Sequence, residues 1–189
     1  MAAVMMHSTV PSCPEGTRLA PRENARERKG TNRMVHHWII VGSPDNFEKS
    51  RALGWTVQGI KSRHRKKAEQ MHAGDTFIYY LTGVQAFGGI VKVTSDYWED
   101  HTTPIWQSKD PKKATEDYPF RISIRPVLIL DEADWLPAIT VVPAMEYPKR
   151  WPAEHWQLAF QGNVHKISDA DHAIIADALA ARMPVGVGR

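Results

Sequence analysis

A tryptophan and a run of cations stand close together in the segment GWTVQGIKSRHRKK. Trp55 follows Gly54, and the cations begin six residues later. An indole ring can stack on a planar base and clustered cations can bind phosphate, so this order suits a nucleotide on its backbone. The alternative is a core tryptophan followed by a solvated helix face. The basic run consists of Lys61, Arg63, Arg65, Lys66 and Lys67, with His64 among them.

The charge of the chain is local rather than general. The formal net charge is +3, and residues 1–33 account for all of it, with six Lys or Arg against three Glu. From Met34 onward 18 basic residues balance 18 acidic ones. Attraction for a polyanion must therefore come from a patch such as the basic run, and not from the field of the whole protein.

Six of the seven tryptophans divide into core and candidate binding residues. Trp38 lies in the middle of a predicted strand and is expected in the core. Trp135, Trp151 and Trp156 stand among large apolar residues and predict a second core. Trp55 and Trp106 each lie at the edge of an element beside polar or basic residues. Exposed aromatic rings in such places stack an extruded or single-stranded base, so these two are the candidates for base binding.

Motifs of catalysis are missing from the sequence. The nine histidines are scattered without the spacing of a helical zinc site, and adjacent His36 and His37 point to opposite faces of a strand. There is no Gly-x-Ser-x-Gly turn, phosphate-binding glycine loop or dinucleotide fingerprint. We therefore expect a protein that is not an enzyme and has no catalytic residue, no metal site and no cofactor.

Cysteine usage and hydropathy suggest the compartment. Cys13 is the single cysteine, so an intrachain disulfide and a thiolate metal cluster are both excluded. No apolar run reaches the roughly 18 residues of a membrane helix, and the N-terminus lacks the apolar region of a secretory signal. The sequence predicts a soluble cytoplasmic protein without a membrane partner.

Run lengths and turn residues predict an α/β domain at residues 34–182. Residues 1–33 are rich in proline, glycine and charge and are expected to be a disordered tail, and residues 183–189 a C-terminal tail. Met34 could also be the start of translation. Helices are expected after Ser43, within the basic run, and after Ser168, which can cap a helix together with Asp171. Strands are predicted near 37–42, 76–81, 85–94 and 120–130.

The order of these segments resembles a known family. The stretches HHWIIVGSPDNFEKSRALGWTVQ, GDTFIYYLTGVQAFGGIVKVTSDYWED, PIW, YPFRISIRPVLILDE and WPAEHWQLAFQGNVHKISDADHAII together are similar to the EVE domain. The resemblance runs from about Met34 to Ala180. It implies a PUA-like fold related to the YTH domain, with a compact curved or barrel-like sheet flanked by helices. It also implies a pocket for an extruded modified base, such as a modified cytosine.

The resemblance extends to individual positions. Trp55 after Gly54 matches the place of the first cage tryptophan of YTH domains, and Trp106 in "PIW" matches the second with one residue missing. Polar groups for the base edge would come from Ser43, Asn46 and Thr56. Pro44 and Asp45 stand where the YTH pattern has asparagines, so the resemblance leaves the identity of the base open. Tyr118, beside the loop of Trp106, is a third candidate for the cage.

These observations predict a nucleic-acid-binding module with DNA or RNA carrying a modified base as its partner. The aromatic pocket would hold the base and the basic run its phosphates. The sequence does not decide between DNA and RNA and does not give the oligomeric state. It is also compatible with two other functions. One is a cytoplasmic sensor of a free nucleotide or metabolite, and the other is an accessory subunit of another protein.

Overall fold

The structure, a computed structural model, describes residues 33–102, 104–106 and 117–183. The predicted tails lie outside these residues, except for Arg33 and Met183. From Met34 onward the chain forms one unit. Among the described residues, the longest apolar helix is too short to span a bilayer.

Eight strands form the sheet: β1 (His37–Gly42), β2 (Val57–Ile60), β3 (Thr76–Leu81), β4 (Ala86–Val93), β5 (Trp98–Glu99), β6 (Phe120–Ile129), β7 (Leu136–Pro137) and β8 (Val164–Ile167). The pair β1 and β3 is parallel, and all other pairs are antiparallel. The four predicted strands are confirmed, whereas β2, β5, β7 and β8 were missed. Across the sheet the order is β2-β6-β4-β3-β1-β8, with β5 beside β6 and β7 beside β4.

The sheet curls because β6 changes partners along its length. Its first half pairs with β2, and its second half pairs with β4. Register shifts interrupt the β3–β4 ladder next to Gly88 and the β4–β6 ladder next to Pro126. Such bulges bend a strand and increase its twist. The result is a half-barrel flanked by helices, which confirms the predicted fold class.

The helices after Ser43 and Ser168 begin where the sequence predicts, whereas the helix expected in the basic run is only one turn long. Helix α1 (Pro44–Ala52) starts at Ser43, whose hydroxyl accepts from the Asn46 amide. The basic run folds as a 3-10 turn followed by the single turn α2 (Arg65–Ala68). Helix α3 (Asp169–Ala180) starts at Ser168, whose hydroxyl accepts from the Asp171 amide.

Asp171 also connects α3 to the irregular segment before β8. Its carboxylate accepts from the backbone amides of Glu146 at 2.7 Å and Tyr147 at 3.1 Å. Most of that segment is built of short 3-10 turns. Because Asp171 is buried, these hydrogen bonds fix the segment against α3.

One continuous core fills the curl of the sheet. Trp38 is part of it, as predicted. Trp135 and Trp156 belong to the same cluster, and Trp151 packs against it. The expectation of a second core around these three residues is therefore wrong, because the 3-10 segment lies directly on the main sheet core.

A stacked pair of histidines joins β1 to α3. The rings of His37 and His172 lie 3.8 Å apart between centroids, at an interplanar angle of 23°. Burial lowers the pKa of His172 to about 4, with a further contribution from His37. Burial also lowers the pKa of His37. Both rings are therefore held in the neutral form at pH 7.

We expect the free energy of unfolding to fall as the pH is lowered from about 6.5 to 4. The folded-state pKa values are below the unfolded value of 6.5, so the unfolded state takes up protons first. Partial exposure limits the share of His172 to about 1–2 kcal/mol. Urea unfolding across this range should show a flatter profile for His172→Gln than for the parent. His155→Gln, at an exposed histidine, is the control, and identical profiles for His172→Gln and the parent would contradict the prediction.

Candidate functional site

A narrow cavity lies where the end of β1, the start of α1 and strand β3 meet. Its volume is ≈ 30 Å³, which holds about two water molecules. Four of the six residues predicted to bind a base line it, namely Ser43, Asn46, Trp106 and Tyr118. The rest of the lining is Ile40, Val41, Gly42, Phe47, Ser50, Gln58, Tyr79, Leu81 and Asn163.

The cavity has aromatic walls. Trp106 and Tyr118 lie with ring centroids 6.0 Å apart. Phe47 and Tyr79 form an edge-to-face pair with ring centroids 5.5 Å apart. These rings are uncharged, and they present faces and edges to a planar ligand.

Trp106 is fixed against the β2–β6 ladder. Its side chain is 4% exposed, and its indole Nε1 donates to the Ser50 hydroxyl at 3.1 Å. A Cβ placed on Gly59 would lie 2.4 Å from Cζ3 of the indole ring. On the paired strand, the Arg121 guanidinium lies 5.0 Å from a ring centroid of Trp106. The indole therefore occupies the space that a side chain at position 59 would take.

Polar groups stand at defined places around the cavity. The Tyr79 hydroxyl donates to Oε1 of Gln58 at 2.7 Å. Asn163 binds the backbone of β1, since its Nδ2 donates to the Val41 carbonyl at 3.4 Å. Oδ1 of Asn46 is buried and accepts no hydrogen bond from any described residue. A buried acceptor without a donor is costly, so a ligand that donates to this oxygen gains from it.

Trp55 lies in the layer behind the cavity wall, and not on the lining. Helix α1 ends in a turn in which the Trp55 amide donates to the Ser50 carbonyl and the Gly54 amide to the Arg51 carbonyl. This Schellman arrangement needs a left-handed residue, and Gly54 has φ +63°. The chain then turns inward, and the Trp55 ring packs 4.8 Å from Phe47 and 5.2 Å from Tyr79.

Ser50 links the two predicted tryptophans. Its carbonyl binds the backbone of Trp55, and its hydroxyl binds the indole of Trp106. Thr56 lies outside the cavity lining, is exposed, and donates to the Leu53 carbonyl at 2.9 Å. The roles of Trp55 and Thr56 in holding a base stay predictions.

The basic run contains cations of different kinds. Arg65 pairs with Glu69 and Glu99, both at 3.1 Å. Nζ of Lys67 donates to the Val164 carbonyl at 2.6 Å, and burial lowers the pKa of Lys67. Burial, with help from Lys67, lowers the pKa of His64 to about 4, so His64 adds no charge at pH 7.

The remaining cations face the cavity side or the solvent. Nζ of Lys61 lies 5.5 Å from the ring of Tyr118, which lines the cavity. Arg63 and Lys66 are exposed. The backbone amide of Lys61 donates to Oδ1 of Asn163 at 3.3 Å, which connects the basic run directly to the cavity lining.

Ser50, Gln58, Tyr79 and Asn163 were missed from the sequence. Gln58 carried a weak signal, because it is a polar residue inside the apolar run Val57–Ile60. Asn163 carried none, since its partners Val41 and Lys61 are more than 100 residues away.

The lining of the narrow cavity consists of neutral side chains. It contains no Asp, Glu, His, Lys, Arg or Cys side chain among the described residues. Burial raises the pKa of Tyr79, which keeps its hydroxyl protonated. Over the same part of the chain no cluster of three or more His, Cys, Asp or Glu side chains could hold a metal ion. The cavity thus offers neutral hydrogen-bonding groups and rings, as ligand sites do.

We expect Gly59→Ala to lower the free energy of unfolding by about 1–3 kcal/mol, because the new methyl group must displace Trp106. The displaced indole should also shift the tryptophan emission to the red. Chemical unfolding followed by fluorescence measures both effects. Gly42→Ala is the matched control, since a Cβ there meets nothing within 4 Å. Equal stability and emission of the two variants would contradict the placement of Trp106.

A family model described as the EVE domain matches residues 36–178. The chain belongs to the EVE domain family. A UPF0310 protein of Pyrococcus abyssi is 26% identical over 125 residues, which cover 62% of this chain and 83% of the relative. The recognition of the family from the sequence is therefore confirmed.

Two solved structures show the fold. The YTH domain of the Zygosaccharomyces rouxii MRB1 protein, in complex with N6-methyladenosine RNA, has a TM-score of 0.56 at 12% identity. The match covers 82% of this EVE chain and 89% of the YTH chain. Human THYN1, in complex with DNA containing 5-methylcytosine, has a TM-score of 0.51 at 13% identity, with coverages of 80% and 100%. The likeness confirms the predicted PUA-like fold.

Proposed function

We propose that this EVE protein is a nucleic-acid reader without enzymatic activity. It holds an extruded, modified base, such as a modified cytosine, in the cavity lined by Trp106, Tyr118 and Asn46. The two structural neighbours, which were solved with a methylated RNA and a methylated DNA, share its fold. The partner is DNA or RNA.

The observation that carries this proposal is the chemistry of the cavity lining. Aromatic walls suit a planar ring, and neutral amides and hydroxyls suit the edge of a base. Oδ1 of Asn46 lacks a donor among the described residues, and the exocyclic amino groups of cytosine and adenine are donors. Asn46 would thus select an amino-bearing base.

Binding of a base requires a movement of Trp106. The cavity volume of ≈ 30 Å³ is too small for a nucleobase, and the Trp106 side chain fills the space beside it. Three contacts hold the indole: the Ser50 hydroxyl, the backbone at Gly59 and Arg121. We expect the base to take part of this space while the displaced indole stacks on its face.

The test is a set of binding titrations with short labelled oligonucleotides. Each DNA or RNA strand carries cytosine, 5-methylcytosine, adenine or N6-methyladenine at one central position. The parent protein should prefer one modified base, and Trp106→Ala should weaken that binding by about 1–3 kcal/mol, the value of one base–aromatic stack. Asn46→Leu should weaken the binding of all four strands, because it removes the acceptor for the exocyclic N–H that all four bases carry.

Trp151→Ala is the control, since Trp151 lines a different cavity. Equal affinity for modified and unmodified strands would overturn the modified-base part of the proposal. Tighter binding by Trp106→Ala would show that the indole blocks the site and does not stack on the base. The small-molecule sensor would be favoured if the protein binds free nucleotides with an affinity independent of salt concentration and does not bind oligonucleotides.

A further inference from the structure

A second cavity shares a wall with the first. Val41 lines both cavities. The second cavity, called here the flanking cavity, lies at the carboxyl end of the parallel pair β1 and β3, with a volume of ≈ 420 Å³. That volume is within the usual range for a ligand site, and far larger than the narrow cavity beside it.

Three glutamines line the flanking cavity: Gln85, Gln157 and Gln161. All three are exposed. Below them, Tyr80 and Phe160 stack with centroids 4.4 Å apart. A glutamine amide offers both donors and an acceptor, as the edge of a base requires, and no described lining residue carries a charge. This chemistry fits a base rather than a phosphate.

The position of Gln85 is held at a conformational cost. Its φ of +52° is left-handed, which a residue with a Cβ rarely adopts. Its carbonyl accepts from the Ala138 amide at 2.8 Å, so the turn is anchored to the neighbouring segment. Such strain at a cavity is frequent where a side chain has a binding role.

The loop between the flanking cavity and β8 connects it to the basic run. Gln161 and Gly162 line the flanking cavity, and the next residue, Asn163, lines the narrow one. Asn163 accepts from the Lys61 amide, and the Val164 carbonyl accepts from Lys67. The two cavities are thus lined by consecutive residues of one loop, so a strand with a base in the narrow cavity can place an adjacent nucleotide at the flanking cavity.

We propose that the flanking cavity binds the nucleotide next to the extruded base and favours adenine at that position. Glutamine binds the N6 and N7 edge of adenine with two hydrogen bonds. The inference rests on the proposed reader function and adds sequence context to it. Gln157 and Gln161 supply the specificity, and Gln85 forms the wall of the site on the side of the turn between β3 and β4.

The experiment measures the affinity of the full chain for oligonucleotides with one fixed modified base. All four bases are placed in turn at the 5′ and the 3′ neighbour. The parent protein should favour adenine on one side by roughly fivefold or more. The double variant Gln157→Ala, Gln161→Ala should lose this preference and keep its ratio of modified to unmodified binding.

Two further variants make the test specific. Gln85→Gly relieves the left-handed strain, so it should fold at least as well as the parent and still reduce the adenine preference. Gln70→Ala removes an exposed glutamine that lines neither cavity and should change nothing. Equal affinity for all neighbours, or a preference that survives the double variant, would overturn the inference. Loss of modified-base discrimination with every neighbour would instead refute the reader function itself.

Discussion

Asp75→Ala is expected to lower the free energy of unfolding by about 3–5 kcal/mol. The Asp75 carboxylate is fully buried immediately before β3. It accepts from the His36 amide at 3.0 Å, the Trp38 indole Nε1 at 3.2 Å and the His72 amide at 3.3 Å. Removing it takes the acceptor from the buried Trp38 indole and from two partly buried backbone amides, beside the β1–β3 pair on which both cavities depend.

Chemical unfolding of two further variants tests whether the loss comes from the buried Asp75 carboxylate. Asp75→Asn keeps one acceptor oxygen, so its loss should be smaller than that of Asp75→Ala. Asp96→Ala removes an exposed carboxylate that binds the side chain of His72 at 2.9 Å, and it should change stability by less than about 1 kcal/mol. A loss below 1 kcal/mol for Asp75→Ala would show that water replaces the carboxylate.

The sequence predicts the frame of the fold because burial leaves a strong local signal. Strand β3 is buried along its whole length, and its last five residues form a continuous apolar and aromatic run. Strands β2 and β8 have only four residues each, with Gln58 and His165 inside them, so their signal is weak. They become strands because long partners lie beside them.

Only part of the lining of the narrow cavity was predicted, because the rest depends on long-range packing. Ser43 and Asn46 were chosen from the resemblance to YTH domains, and both lie at the start of α1. The burial of Trp55 follows from the turn after α1, which leads the chain into the core. The need for glycine at position 59 depends on Trp106, 47 residues away, and no local pattern contains it. Long-range packing therefore decides which tryptophan lines the cavity.

The cations of the basic run are expected to separate into a binding group and a structural group. Lys66 and Arg63 are exposed, and Lys66 makes no ion pair with any described residue. Arg63→Gln with Lys66→Gln should leave stability nearly unchanged. This variant should reduce the salt dependence of binding by about 0.7 log units for each lost phosphate contact on a single strand. The preference for a modified base should persist, because phosphate contacts carry no information about the base.

Lys67→Gln should behave differently, because Nζ of Lys67 is bound to the Val164 carbonyl at the start of β8. We expect a loss of stability of about 1–3 kcal/mol and a smaller change of the salt slope. Titrations at three salt concentrations, with unfolding curves for each variant, measure both effects. The control is Lys149→Gln with Arg150→Gln, which removes two positive charges outside the basic run, as many as the Arg63 and Lys66 variant removes. It distinguishes an effect of the basic run from an effect of the net charge of the whole protein. If this control flattens the salt dependence as much as the Arg63 and Lys66 variant, the basic run has no special role in binding phosphate.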